Sequence, residues 1–230
     1  MPDYDHAEYL RRERRAEKDA ALIFTPARQT GDIEIFDEAV DQINQVSGWL
    51  VAMRKVAREV RVVSPVIQSA FQLVWTKSKT LSLRVGDHRA LCDAARLFLP
   101  KYTGPAVRLY RGAGASERRR RIYGLSWSAD VKTADQFALE RRVMDGGSVL
   151  LETLASPEAI ISQIDYPQPF TQNQIDEFRS RNPEVVIEEF HEEREYVVDR
   201  RHLNAVSVRQ RYEQSHHAAP PPPSVFSSGS

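Results

Sequence analysis

The sequence predicts an α+β protein, with a helical N-terminal segment followed by a strand-rich C-terminal half. Two patterns predict it. Between 34 and 62 the apolar residues Phe36, Val40, Ile43, Leu50, Met53, Ala57 and Val60 recur at spacings close to three and four, the period of one helix face. After Gly104-Pro105 the texture changes to short apolar runs, such as VRLY at 107–110 and SVLLETLA at 148–155, which suit strands.

The elements follow in order. Residues 5–22 are helix-compatible but mostly charged, with Glu8–Arg12 and Arg15–Asp19 at i,i+4 spacing, so a solvated helix is expected. Thr25-Pro26 and Thr30-Gly31 mark a break. The 34–62 pattern fits one long helix or two meeting near Gly48. Ser64 as N-cap with Pro65 at the first helical position opens the next helix, in which Val66, Ile67, Ala70, Phe71, Val74 and Trp75 share a face. Residues 81–85 suit a short strand. Asp87 caps a third helix through Leu91, Ala94, Ala95 and Phe98, which Pro100 ends. Beyond 105, strands are expected at 107–110, 124–128, 148–155, 184–187, 195–198 and 205–208. Helices are expected at 131–144 and 171–181. The tail from Ser215, with its proline run, reads as low-complexity chain. These patterns divide the chain into a charged N-terminal helix or arm (1–31), a helical segment (32–104), a catalytic-type domain (105–210) and a Pro/Ser-rich tail (211–230).

The 230 residues are 41% apolar and 28% charged, enough for one sizeable domain or a domain with a smaller helical companion. Basic and acidic residues balance at 32 each, so no global field points to nucleic acid or to an anionic membrane. The single cysteine, Cys92, lies in an apolar helical stretch and reads as a buried thiol. No run reaches transmembrane length, and the N-terminus is charged where a signal peptide would be apolar, so a cytoplasmic protein is expected. His88, His191 and His202 are isolated, no paired Cys/His spacing exists and no metal site is expected. Neither GxxxxGK[ST] nor GxGxxG occurs, so P-loop and Rossmann modes of nucleotide binding have no support.

Three motifs stand in a fixed order. LYRG at 109–112 presents Arg111, GLSWS at 124–128 presents Ser126 and Ser128, and EREYVVD at 193–199 presents Glu193 and Glu195. With ADQFA at 134–138 and SVLLET at 148–153 between them, the series resembles the ADP-ribosyltransferase family of the Arg/Ser-x-Ser/Glu-x-Glu class, in particular compact bacterial and phage members that carry Gly-Leu-Ser-Trp-Ser/Thr. The resemblance covers about 107–203, under half of the chain. It implies a split two-sheet β core, NAD as the substrate, and transfer of ADP-ribose to a macromolecular acceptor, protein first and nucleic acid second. It also implies a toxin, effector or host-modifying role, in the cytoplasm or after delivery into a host cell, with no membrane partner. The helical segment would dock an inhibitor or partner protein.

The same resemblance implies roles that the side chains suit. Breaking the nicotinamide–ribose bond builds positive charge on the ribose, which a fixed carboxylate stabilises. Glu195 is the candidate, anchored by Tyr196, Val197 and Val198. Glu193 would contact the acceptor, a position associated in the family with arginine targets. Arg111 would hold ribose or diphosphate through its planar donor fork, with Gly112 allowing close backbone approach; Arg108 is the competing arginine. Ser126 would orient the glutamate and the nicotinamide ribose, and Ser128 would support the strand and the bound dinucleotide. Trp127 departs from the commoner Thr or Gln and should point away from both serines into the core.

Each residue also has a plain reading: a surface arginine at a strand end, polar strand positions, and a solvated acidic face. The Arg118–Arg121 run either tracks phosphates or is a solvated loop. NAD glycohydrolysis and non-catalytic partner binding on the same fold stay open beside the transferase.

Overall fold

The computed structural model describes residues 6–59, 62–78, 80–143, 146–165 and 194–214. The chain forms two compact units, Met1–Thr103 with Ile161–Gln163, and Gly104–Ile160 with Ile164–Ser230. Helix and sheet mix as an α+β protein requires. The expectations for 171–181, 184–187, Glu193 and the tail from Ser215 lie outside the described residues.

The helices of the first unit are α1 (His6–Thr30), α2 (Ile33–Gln45), α3 (Trp49–Glu59), α4 (Pro65–Lys77), α5 (Leu81–Val85) and α6 (His88–Phe98). Their starts are chemical. Asp32 accepts from the backbone N–H groups of Glu34 and Ile35, Ser64 from Ile67, and Asp87 from Ala90, each meeting donors that a helix leaves open. The 34–62 pattern resolves into two helices. Ser47 turns left-handed at φ 55°, and the Gly48 N–H donates to the Ile43 carbonyl at 3.0 Å. Phe24, Phe36, Trp49 and Phe98 meet within ring-contact range, and Phe71 stacks on Phe98 at 4.4 Å. Cys92 is buried on α6.

Four expectations for this unit need correction. The break at Thr25-Pro26 is absent, because proline removes only one donor and buried Ala20, Ala21 and Phe24 hold the helix in place. The helix stops at Thr30, where Gly31 turns to φ 71°. The same three side chains anchor the second half of α1, which composition alone marks as solvated. Residues 81–85 are helix, not strand. Leu81 and Val85, four apart, are both buried, and Gly86 at φ 64° closes the turn. On α4, Val66 faces outward while Ile67, Ala70, Phe71 and Trp75 are buried.

In the second half of the chain β1 (Val107–Gly114), α7 (Ala115–Arg120), β2 (Ser126–Ser128), α8 (Val131–Glu140), β3 (Ser148–Ala155), β4 (Ile160–Asp165), β5 (Arg194–Val198) and β6 (Ser207–Tyr212) follow in sequence. The strands make one six-stranded sheet of order β4-β5-β2-β1-β3-β6. The expected split into two sheets is therefore replaced by one sheet with a thin seam. β1 pairs with β3 over its whole length, from Val107↔Ala155 to Gly114↔Ser148, but meets β2 at Tyr110↔Ser128 alone. A three-residue β2 is too short to continue the ladder along an eight-residue β1.

Helix α8 covers one face of the sheet, placing Ala134 and Ala138 against Leu150, Tyr110 and Tyr212. Its start is capped by Asp130, which accepts from Lys132 and Thr133 N–H groups. The close fit depends on Gly112. A Cβ there would stand 2.2 Å from Ala138 N and 2.6 Å from Ala134 O, both backbone atoms that cannot step aside. No helix among the described residues is long and apolar enough to cross a membrane. Gly112→Ala is expected to destabilise the protein by about 3 kcal/mol, the upper range for an overpacked core, measured by urea unfolding; a change within error would mean that α8 does not sit this close.

Candidate functional site

The three motif strands are neighbours in the sheet. β2 lies between β1 and β5, so the arginine, serine and glutamate motifs run side by side although β5 is far away in sequence. Register sorts their side chains by face, since residues directly opposite in an antiparallel pair point the same way. Tyr110 stands opposite Ser128, and Ser128 opposite Glu195, which makes one row across β1, β2 and β5. Ser126 pairs with Val197 two positions along on the same face. Arg111 falls in the alternate row with Trp127 and Tyr196.

Arg111 nevertheless joins the serine strand through the backbone. β1 extends past 110 to Gly114, so Arg111 lies within a strand, with a side chain only 12% exposed; the surface reading at a strand end does not hold. Its Nη1 donates to the Ser126 carbonyl at 2.6 Å and its Nη2 to Glu117 Oε2 at 3.4 Å. Gly124 makes this possible, because a Cβ there would stand 2.3 Å from Arg111 Nη2. Burial pushes the guanidinium pKa down. Glu117 opposes that fall, Arg141 adds to it, and Glu195 favours the cation from across the site. An arginine keeps its charge through such a shift, so Arg111 is a fixed cation within the electrostatic reach of Glu195.

Glu195 is 8% exposed on β5, where Tyr196, Val197 and Val198 are also buried. Ser126 is exposed at the start of β2, and Ser128 is buried. The Ser128 Oγ accepts from Asp130 N–H at 3.0 Å and so holds the turn into α8. Trp127 is buried at 2% exposure, its Nε1 donating to the Gly124 carbonyl and its ring meeting Tyr123 edge-on at 6.2 Å. The backbone approach that Gly112 permits is that of α8, not that of a ligand. Arg108, the competing arginine, is exposed and ion-paired with Glu152, which also accepts from Arg209 at 3.1 Å. Glu193 lies outside the described residues.

Sequence reasoning missed Glu117. Its Oε2 meets Arg111, while its Oε1 accepts from Arg141 at 2.7 Å and from Gly114 N–H at 3.3 Å. One carboxylate thus ties β1, α7 and the turn after α8 together. The Gly114-to-Glu117 spacing, half of a capping box, was its one local signal.

Glu117→Gln is expected to cost about 2 kcal/mol, less than a fully buried pair because the glutamate is partly exposed; equal unfolding free energies would remove Glu117 as the anchor of Arg111. A second expectation concerns pH. Hydrogen bonds from Arg108 and then Arg209 hold the Glu152 carboxyl below its ordinary 4.5. A depressed carboxyl stabilises the fold above its ordinary pKa, and that stability is lost as pH falls through the lowered value. Glu152→Gln should therefore flatten the acid side of the melting-temperature profile relative to wild type; parallel profiles would contradict this. Comparison of the chain with protein-family models, with curated proteins and with solved structures finds no match.

Proposed function

We propose that the protein is a mono-ADP-ribosyltransferase that moves ADP-ribose from NAD to a macromolecular acceptor, with arginine side chains favoured, and releases nicotinamide. One observation carries the reading. β5, β2 and β1 are adjacent in the sheet, so the glutamate, serine and arginine motifs form one neighbourhood.

The chemistry follows from the residues. The bond between the ribose C1′ and the nicotinamide nitrogen breaks, and its electron pair leaves with the nicotinamide. The Glu195 carboxylate, fixed on a buried strand beside Ser128, stabilises the positive charge that develops on the ribose. Arg111 lies in the row that faces away from Glu195, with its fork held by Glu117 and the Ser126 carbonyl, so it acts on the diphosphate through its fixed positive charge. Ser126, exposed at the open end of β2, can donate to a ribose hydroxyl. The acceptor nucleophile then bonds to C1′ and passes its proton to solvent water, with Glu193 as the group assigned to position it. A toxin, effector or host-modifying role in a cytoplasm fits this activity.

Purified protein is expected to release nicotinamide from NAD, faster when cell lysate supplies acceptors, with label passing from the ADP-ribose moiety onto a macromolecule. Glu195→Gln should lower that release by roughly 100-fold or more, the scale of removing one charge-stabilising group. Release without transfer would replace the transferase with a glycohydrolase. No release under any of these conditions would sink the enzyme reading and leave a binding protein.

A further inference from the structure

A cleft of about 360 Å³ opens in the second unit, where the β1–β2 connection faces the chain that follows β5. Arg118, Arg121 and Tyr123 line it from one side, and Arg200 and Asn204 from the other. The sequence shows the Arg118–Arg121 run but not that Arg200 joins it. The run is also not a plain loop. Arg118 and Arg120 belong to the last turn of α7, and Arg121 follows with φ 54°. That left-handed residue caps α7, its N–H donating to the Arg118 carbonyl at 3.2 Å.

The acids nearest in sequence are already engaged. Glu117, next to Arg118, is shared between Arg111 and Arg141. Asp199, next to Arg200, is fully buried and grips Arg201, accepting at 2.9 Å from Nε and at 2.7 Å from Nη2. No acidic residue lines the cleft among the described residues. Among the described residues, Arg118 Nε and Arg200 Nη1 are buried without a hydrogen-bond partner, so neither arginine is fully paired within the protein. An unmet buried donor costs about 1–3 kcal/mol, more when charged.

We propose that this cleft binds a diphosphate group, free or as part of a nucleoside diphosphate, held between the guanidinia of Arg118, Arg121 and Arg200. The planar forks of three arginines match phosphate oxygens, and the volume is that of a small-ligand pocket, not of a strand-tracking groove. A nucleic acid fits less well. Among the described residues the one aromatic residue of the cleft, Tyr123, is buried edge-on against Trp127 and offers no stacking platform. The proposal goes beyond the transferase reading and does not depend on it, since none of these arginines is assigned to the NAD chemistry above.

Calorimetric titration of the full chain with inorganic pyrophosphate at low salt tests it. Wild type should bind at one site, and Arg118→Gln and Arg200→Gln should each weaken binding at least tenfold while leaving the unliganded melting temperature unchanged or higher. Arg209→Gln, on β6 and paired with Glu152, is the charge control and should bind as wild type does. ADP in a parallel titration separates the sources: binding tighter than pyrophosphate identifies a nucleoside diphosphate, and weaker binding a free diphosphate, with the cleft confirmed in both cases. The proposal is overturned if wild type does not bind pyrophosphate, or if all three variants weaken equally. It is also overturned if a single-stranded oligonucleotide binds in an Arg118-dependent way while pyrophosphate does not.

Discussion

A buried guanidinium must be held by fixed acceptors, and the arrangement of the strand-bearing half follows from how Arg111 is held. Its charge lies inside β1 with little access to water, where an unpaired cation would be costly. The Ser126 carbonyl and Glu117 provide the acceptors, and each belongs to a different element. Meeting Arg111 therefore fixes where β2 starts and where α7 turns. Glu117 in turn holds Arg141 and the Gly114 N–H, so the turn after α8 is tied to the same point. Gly112 and Gly124 serve this arrangement from both sides. The first lets α8 lie directly on β1, and the second leaves room for the guanidinium beside the turn into β2.

The thin seam between β1 and β2 gives this polar link added weight. Only Tyr110↔Ser128 pairs the two strands, whereas β1 and β3 pair along eight positions. A ladder that short contributes little by itself, so the Arg111–Ser126 bond and the packing of α8 carry much of the attachment. The row from Tyr110 through Ser128 to Glu195 crosses that seam. Ser128 and Glu195, two of the residues assigned to chemistry, therefore lie next to the short β1–β2 pairing.

Much of this was legible in the sequence where the cause is local. Asp32, Ser64 with Pro65, and Asp87 open helices as N-cap chemistry requires, because the acceptor and its donors lie within three residues of each other. SVLLETLA reads as a strand buried on most positions and is one. The failures share a cause as well. LSLRV fits a strand or a helical turn equally until Leu81 and Val85 are seen to bury together. Pro26 is tolerated because of packing by residues on other helices. At the site, the order of the motifs is visible in the chain. The adjacency of β5, β2 and β1 is not, and neither is the Glu117 clamp, since both depend on pairings between distant segments. Arg200 joining Arg118 and Arg121 is another product of folding that spacing does not reveal.

The proposed function requires the arginine, serine and glutamate strands to form a single NAD-binding neighbourhood. Hydrogen exchange of backbone amides, followed by mass spectrometry with and without NAD, tests it most directly, because slowed exchange reports each segment separately. The account expects NAD to slow exchange in peptides covering β1, β2 and β5 together. Protection confined to other segments, or exchange unchanged in all three strands at saturating NAD, would contradict it.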